Sequence, residues 1–238
     1  MNGPTEPCEV WVARVPPVTD HLVGVLDHTE RARRARVRHA DDRDRFTAAA
    51  ALLRLVASRF AGLDPEAVAV DRTCTRCGAP HGRPRIVGHG AAPFDVSVSH
   101  AGRYAVVAAC REYRVGVDVE AVRSDYADLL PVACTPAEAT RVHDARGFAT
   151  TWVRKEAVLK ATGQGLATPP CEVEVSAPDA PPQVARLAGR AATGWWLHDL
   201  AVDADHVGAV AIAALMAVRI EVVAASELLT HRARPGQV

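Results

Sequence analysis

The sequence predicts an α+β protein made of two similar halves. Each half shows, in order, a strand pattern, a long helix, a proline turn, a strand and a hairpin. Residues 62–70 resemble residues 165–175, which follow the second long helix as the first set follows the first. We therefore predict two α/β halves related by pseudo-twofold symmetry, at residues 1–112 and 113–230, with a flexible tail at residues 231–238.

The first half begins with a strand at residues 9–15, where apolar and polar residues alternate. Asp27 and Glu30 have the spacing of a capping box, which starts a basic helix. A long apolar helix follows from Phe46 to Phe60, and a glycine ends it. Arginines in and before these helices suit phosphate binding, although an arginine-rich solvated face explains each of them as well. The candidates are Arg31, Arg34 and Arg45.

The first half continues with strands at residues 67–70, 94–100 and 104–109. The last two form a hairpin, which places Ser99 and His100 at a strand end, where a site residue is held rigidly. A histidine at such a position can equally cap a turn or face water.

The second half opens with a strand at residues 114–120. Strand alternation places Asp118 and Glu120 on one face and the neighbouring valines on the other. Two carboxylates on one face repel each other unless a cation lies between them, and Mg²⁺ takes one or two carboxylates together with substrate phosphates. The alternative is the solvated face of an edge strand.

Thr135 and Glu138 predict a helix start with a capping box. A second long helix contains residues 152–160 and ends at Gly163. The remaining second half is rich in strands, with a last strand and turn. These are predicted at residues 172–175, 195–202, 207–214 and 219–229.

Lys155 and Lys160 are the two lysines of a chain with 28 Lys+Arg, and both lie in the second long helix. A lysine ammonium is a compact, strongly hydrated point charge, unlike the planar arginine fork. Trp152, Glu156 and Lys160 recur every four residues and therefore share one helix face. An ordinary exposed Glu–Lys pair is the alternative interpretation of that spacing.

The composition indicates a globular protein without a strong overall field. Net charge is +0 and the hydrophobic fraction is 49%, which favours neither nucleic acid nor an anionic membrane as a partner. No apolar run reaches the length of a membrane span, and the N-terminus lacks a signal pattern, so a cytoplasmic location is expected.

Six cysteines are scattered along the chain, and in a cytoplasmic protein they are expected as thiols. Cys74 and Cys77 have metal-ligand spacing, with His81 four residues on. A zinc site or a turn of small residues explains this stretch, and a closed zinc site would need a fourth ligand such as His89 or His100.

Four motifs in order resemble the 4′-phosphopantetheinyl transferases of the Sfp type. They are Gly82-Arg83-Pro84, Ser99-His100, Gly116-Val117-Asp118-Val119-Glu120 and the Trp152-x-x-Lys155-Glu156-Ala157-x-x-Lys160 segment. The resemblance covers residues 30–170. It implies two similar α+β halves with coenzyme A and Mg²⁺ between them, and a holo-[acyl-carrier-protein] synthase type of reaction. In that reaction the phosphopantetheine arm of coenzyme A moves to a serine of an acyl or peptidyl carrier protein, with release of 3′,5′-adenosine bisphosphate.

The resemblance also implies roles for individual residues. Asp118, Glu120 and Glu156 would hold Mg²⁺, and Glu156 would take the serine proton. Lys155 and Lys160 would neutralise phosphate charge. The remaining coenzyme-binding candidates are Arg31, Arg34, Arg45, Arg83, Ser99 and His100.

The chain departs from the family pattern at two positions. The aromatic pair often found before Glu138 is absent, so Glu138 is either a metal ligand or only a helix cap. Asp95 replaces an asparagine. Two other functions stay open: a non-catalytic coenzyme A or carrier-protein binding module of the same fold, and a zinc-stabilised interaction domain. A monomer is expected; the sequence names neither the carrier protein nor its pathway.

Overall fold

A computed structural model describes residues 6–88, 90–163 and 168–230. The predicted tail at residues 231–238, His89 and residues 165–167 of the predicted repeat lie outside the described residues. The described helices are α1 (Asp20–Val25), α2 (His28–Arg36), α3 (Ala40–Ala61), α4 (Leu130–Ala133), α5 (Pro136–Ala139), α6 (Ala145–Thr162) and α7 (Ser226–Thr230).

The described strands are β1 (Cys8–Arg14), β2 (Ala69–Asp71), β3 (Arg85–Val87), β4 (Asp95–Ala101), β5 (Tyr104–Cys110), β6 (Arg114–Ala121), β7 (Val173–Val175), β8 (Val184–Leu187), β9 (Arg190–Ala191), β10 (Trp195–Asp203), β11 (His206–Ala213) and β12 (Ile220–Ala224). None of the helices in the described part of the chain combines the length and the apolar character that a membrane span requires.

Two compact units divide the described chain. The N-terminal unit comprises Glu6–Glu112 together with residues 220–230, and the C-terminal unit comprises Tyr113–Arg219. The sequence placed residues 220–230 in the second half, and the structure differs there. β12 pairs in parallel with β1, with Val10 opposite Val222, and Ala225 and Leu229 join the core of the N-terminal unit.

In the N-terminal unit the sheet has the order β12-β1-β5-β4. β5 runs antiparallel to both β1 and β4, and α3 packs against β4 and β5. α3 begins at Ala40, earlier than the predicted Phe46, and ends at Gly62, whose φ of 66° suits glycine. β2 and β3 form a separate two-stranded ribbon.

In the C-terminal unit the sheet has the order β10-β11-β6, with antiparallel neighbours. α6 covers β6 and β11 and ends at Gly163, as predicted. The capping box predicted at Thr135 and Glu138 is present, but it starts only the short helix α5, and α6 has its own N-cap, Asp144. A second sheet, β7-β8-β9, lies beyond α6 in the chain.

The two units share a topology, which confirms the α+β repeat. In each, a first strand is followed by a long helix and then a hairpin, and the second hairpin strand pairs antiparallel with the first strand. β5 and β11 are these equivalent second strands. A proline-started 3-10 helix precedes β2 in one unit and β7 in the other.

Candidate active site

A glycine sets the distance between β6 and α6. A Cβ atom on Gly116 would lie 1.9 Å from the carbonyl oxygen of Ala157 and 2.5 Å from the amide nitrogen of Ala161. Backbone atoms cannot give way at such distances, so only glycine allows the strand and helix to come this close. Alternation along β6 puts Asp118 and Glu120 on the same α6-facing side.

Lys160 of α6 binds the first of these carboxylates. Its Nζ donates to Asp118 Oδ1 at 2.6 Å and to the carbonyl oxygen of Val117 at 3.0 Å. Asp118 is 3% exposed, so it does not lie on a solvated strand face. The buried charge of Asp118 is balanced by the partly exposed ammonium of Lys160.

Glu120 lies in an environment that disfavours its charged form. Burial, followed by the negative charge of Asp118, raises the pKa of Glu120 to about 7 against the opposing effect of Lys160. The indole of Trp152 lies near this carboxylate and slightly opposes the rise in its pKa. The same indole stacks on Phe148, with ring centroids 6.3 Å apart. The sequence placed Trp152 on the helix face of Glu156 and Lys160 but did not predict that it lies near Glu120.

Glu156 completes the group of carboxylates facing Lys160. Burial, and then the charge of Asp118, raises the pKa of Glu156 above its ordinary value. Its Oε1 is buried and accepts no hydrogen bond from any described residue. A buried acceptor without a donor costs about 1–3 kcal/mol, and a bound cation would remove that cost.

The three carboxylates of Asp118, Glu120 and Glu156 form an open set of ligands, which suits a hard dication such as Mg²⁺. Three acidic groups lie around the Lys160 ammonium. Burial, and after it the negative charge of Asp118, raises the pKa of both Glu120 and Glu156. They are not drawn tightly together: of the described residues, only Cys74, Cys77 and His81 place three ligand atoms within 4.8 Å of one another. Mg²⁺ in proteins keeps several bound waters and also binds substrate phosphates, so carboxylates that do not close around the ion are suitable ligands.

Lys155 has a different partner from the one expected. It is 0% exposed, and its Nζ donates to Glu138 Oε2 at 2.6 Å and to the carbonyl oxygen of Pro170 at 3.2 Å. Phosphate contact does not fit this geometry, because a fully buried ammonium bound to a carboxylate is inaccessible to a phosphate. Lys155 anchors α6 to the chain segments on either side of it.

Glu138 is likewise occupied by structural contacts. Besides Lys155, it accepts from the backbone N–H groups of Thr135 and Val175, both at 2.9 Å. It is 4% exposed. The cap interpretation of Glu138 therefore accounts for its position, and a metal contact does not.

The six predicted coenzyme-binding residues outside α6 lie in the N-terminal unit. Arg83 forms an ion pair with Asp95 at the start of β4. Ser99 is buried and His100 exposed at the end of the same strand. Arg45 pairs with Asp42 and donates to the carbonyl oxygen of Gly102 at 3.3 Å, beside the hairpin that carries His100.

The two arginines of α2 have local partners. Arg31 donates to the carbonyl oxygen of Leu26. Arg34 Nε donates to Thr47 Oγ1 at 2.9 Å, and is less exposed than Arg31. The structure thus brings Arg45, Arg83, Ser99 and His100 to β4 and its turn, and shows no contact linking Arg31 or Arg34 to them among the described residues.

Comparisons with known proteins agree with the arrangement of both units. Residues 15–112 match the family model of the 4′-phosphopantetheinyl transferase N-terminal domain, and residues 114–212 match the 4′-phosphopantetheinyl transferase superfamily. The chain is 31% identical over 202 residues to the 4′-phosphopantetheinyl transferase HetI of Nostoc sp., covering 81% of this chain and 80% of that protein.

A putative 4′-phosphopantetheinyl transferase of Synechocystis sp. is 25% identical over 167 residues, which cover 66% of this chain and 65% of the relative. The superfamily match at residues 114–212 includes the strand that carries Asp118 and the helix that carries Glu156. The chain therefore belongs to the 4′-phosphopantetheinyl transferase superfamily and is a two-domain enzyme that transfers 4′-phosphopantetheine to carrier proteins.

Proposed function

We propose that the protein moves the phosphopantetheine arm of coenzyme A to a serine of an acyl or peptidyl carrier protein with Mg²⁺, at the carboxylates of β6 and α6. The observation that carries this proposal is the buried Glu156 Oε1, which accepts no hydrogen bond from the described residues. It lies in a cluster of acidic side chains in which the pKa values of Glu120 and Glu156 are both raised. Asp118, Glu120 and Glu156 would hold the ion. Bound Mg²⁺ would neutralise charge on the pyrophosphate of coenzyme A.

The side chains around the ion would divide the remaining work. Glu156 would accept the serine proton, because a carboxylate placed at the reacting hydroxyl can act as a general base. The serine oxygen forms a bond to phosphorus as the bond to 3′,5′-adenosine bisphosphate breaks. Lys160 would stabilise charge moving to this leaving group, because its ammonium already lies beside Asp118.

Trp152 would act as a positioning residue. Its indole lies near Glu120, and stacking on the ring of Phe148 would hold the indole in that place. Coenzyme phosphates would bind Arg45, Arg83, Ser99 and His100, and Arg31 and Arg34 remain candidates. Lys155 is omitted from this set because its ammonium is fully buried against Glu138.

The test is carrier loading followed by mass spectrometry. Purified protein, coenzyme A and Mg²⁺ are incubated with a panel of apo acyl and peptidyl carrier proteins, and each carrier is weighed. We expect the mass increment of one phosphopantetheine arm on at least one carrier, with release of 3′,5′-adenosine bisphosphate. If the panel gains no mass, or gains it equally without a divalent cation, the proposal is wrong.

Glu156→Gln separates this enzyme from a non-catalytic binding module of the same fold. The amide keeps the shape of the side chain and loses the charge, so loading should fall by about 10²–10⁴-fold while coenzyme A still binds. Glu172→Gln, at an exposed position of the same unit, is the matched control. Binding without any turnover in the wild type would favour the module. A monomeric state and a cytoplasmic location stay predictions.

A further inference from the structure

A second group of ligand-type side chains lies away from the carboxylates of β6 and α6, in the loop at residues 72–84 between β2 and β3. The ligand atoms of Cys74, Cys77 and His81 all lie within 4.8 Å of one another. Cys77 Sγ is 3.0 Å from His81 Nε2. Zn–S bonds of about 2.3 Å and Zn–N bonds of about 2.0–2.1 Å place the ligand atoms of a tetrahedral site roughly 3.5–3.8 Å apart, so small side-chain rotations suffice here.

The backbone around the two cysteines forms a tight turn. Gly78 has a φ of 74°, which closes the turn, and its N–H donates to the carbonyl oxygen of Cys74 at 2.8 Å. This turn keeps the two cysteines close together, as two ligands of one metal ion must be.

Apart from the buried Pro84 at its end, the loop has little hydrophobic support. Every residue from 72 to 83 is at least partly exposed, so its order does not come from buried apolar surface. Its base is nevertheless tight: the Gly82 N–H donates to the carbonyl oxygen of Arg72 at 2.6 Å, and a Cβ on Gly82 would lie 2.8 Å from the carbonyl oxygen of Thr73. A metal at the tip would supply the missing stabilisation.

We propose that Cys74, Cys77 and His81 bind a Zn²⁺ ion, with water as the fourth ligand, and that this ion fixes the loop leading into Arg83. Two thiolates and one imidazole are ligands that zinc prefers, and three protein ligands leave one position open. The tight contact of Gly82 with Thr73 transmits the order of the turn to the adjacent Arg83, which pairs with Asp95. Any effect of the ion on coenzyme A binding rests on the proposed function; the binding of zinc does not.

Metal content is the direct test. The full-length protein is purified under reducing conditions, incubated with Zn²⁺ and passed through a desalting column. Its metal content is then measured by inductively coupled plasma mass spectrometry. We expect about one zinc per chain in the wild type, and loss of zinc in Cys77→Ser and in His81→Ala. Cys171→Ser, at a partly exposed cysteine of the C-terminal unit, should keep its zinc and is the matched control.

Hydrogen exchange of the wild type keeps the proposal testable if a variant does not fold. A zinc-selective chelator that leaves Mg²⁺ free should speed amide exchange at residues 73–82, and added Zn²⁺ should reverse the change. Zinc at buffer level after incubation, zinc retained by Cys77→Ser, or unchanged exchange after chelation would each overturn the proposal. So would loss of two hydrogens from the protein mass under reducing conditions, because it would reveal a Cys74–Cys77 disulfide instead.

Discussion

At the scale of single residues, the two lysines of α6 have different partners and should behave differently when removed. Lys155→Met leaves the buried Glu138 carboxylate without its cation, and we expect a loss of about 3–5 kcal/mol in the free energy of unfolding. Lys160 is partly exposed, with 28% of its side-chain surface accessible. Lys160→Met also removes the cation of a buried carboxylate, Asp118, and is distinguished by turnover, because kcat should fall by about 10²–10³-fold through lost charge stabilisation.

Urea unfolding and carrier loading, measured on both variants, check this contrast. A Lys155→Met protein with wild-type stability and little turnover would restore the phosphate contact that the family resemblance implies for Lys155. A Lys160→Met protein with full turnover would remove Lys160 from the reaction.

Glu120 makes stability depend on pH in the absence of a divalent cation. Its pKa rises from an ordinary 4.5 to about 7 on folding, so the folded state binds more protons than the unfolded state between these values. The stabilisation is complete below the unfolded pKa and is lost as pH rises through the folded pKa. We expect the Tm of metal-free protein to fall across this window, and Glu120→Gln to reduce that fall.

Differential scanning calorimetry of the metal-free wild type and variant measures this effect. Part of the slope should survive in Glu120→Gln, because burial also raises the pKa of Glu156. Glu172→Gln is again the control, and should keep the whole slope. Identical slopes in the wild type and Glu120→Gln would contradict the assignment.

At the scale of elements, the approach of β6 to α6 decides where the carboxylates lie. Gly116→Ala would put a Cβ atom 1.9 Å from the carbonyl oxygen of Ala157, so strand and helix must move apart. We expect a loss of at least about 1–3 kcal/mol in unfolding free energy and a marked loss of carrier loading. Gly24→Ala in α1, where the added Cβ meets nothing within 4 Å, should be neutral or stabilising.

Thermal unfolding and loading rates of the two glycine variants are the measurements. If Gly116→Ala is as stable and active as the wild type, the spacing of β6 and α6 does not control the site.

The sequence predicted most elements near the site because their signals are local. Strand alternation placed Asp118 and Glu120 on one face, and helical spacing placed Glu156 and Lys160 on another. Both faces meet as these patterns require. The partner of Lys155 could not be predicted, because Glu138 and Pro170 reach it only through tertiary packing. One local observation pointed to a structural role for Glu138: the aromatic pair that often precedes this glutamate in the family is absent.

At the scale of the whole molecule, the two units share a buried cation with equivalent hydrogen-bond partners as well as a topology. In the C-terminal unit, Lys155 joins the capping-box glutamate Glu138 to the carbonyl of Pro170. In the N-terminal unit the fully buried Arg54 of α3 does the same: its Nε donates to the capping-box Glu30 at 2.5 Å and its Nη1 to the carbonyl oxygen of Pro65 at 3.3 Å. The long helix of each unit is thus fixed to the segments before and after it by one buried cation.

This repeat was only partly visible in the sequence. The proline turns and the apolar strands could be matched, because they recur with similar residues. The buried cations could not be matched from the sequence, because the position is an arginine, Arg54, in one unit and a lysine, Lys155, in the other. The return of β12 to the N-terminal unit was also missed, since parallel pairing with β1 is a long-range contact without a local pattern.

That return gives a prediction for the whole chain. Leu229 follows β12 and is 2% exposed in the core of the N-terminal unit, so Leu229→Ala should cost about 2–5 kcal/mol there. Hydrogen exchange should then speed up at the amides of β1 and β5, while β6 and β11 keep their protection, because local stability follows cooperative units. Leu215→Ala, at a leucine 88% exposed in the C-terminal unit, should leave exchange unchanged in both. Loss of protection in β6 and β11 alone would contradict the assignment of residues 220–230 to the N-terminal unit.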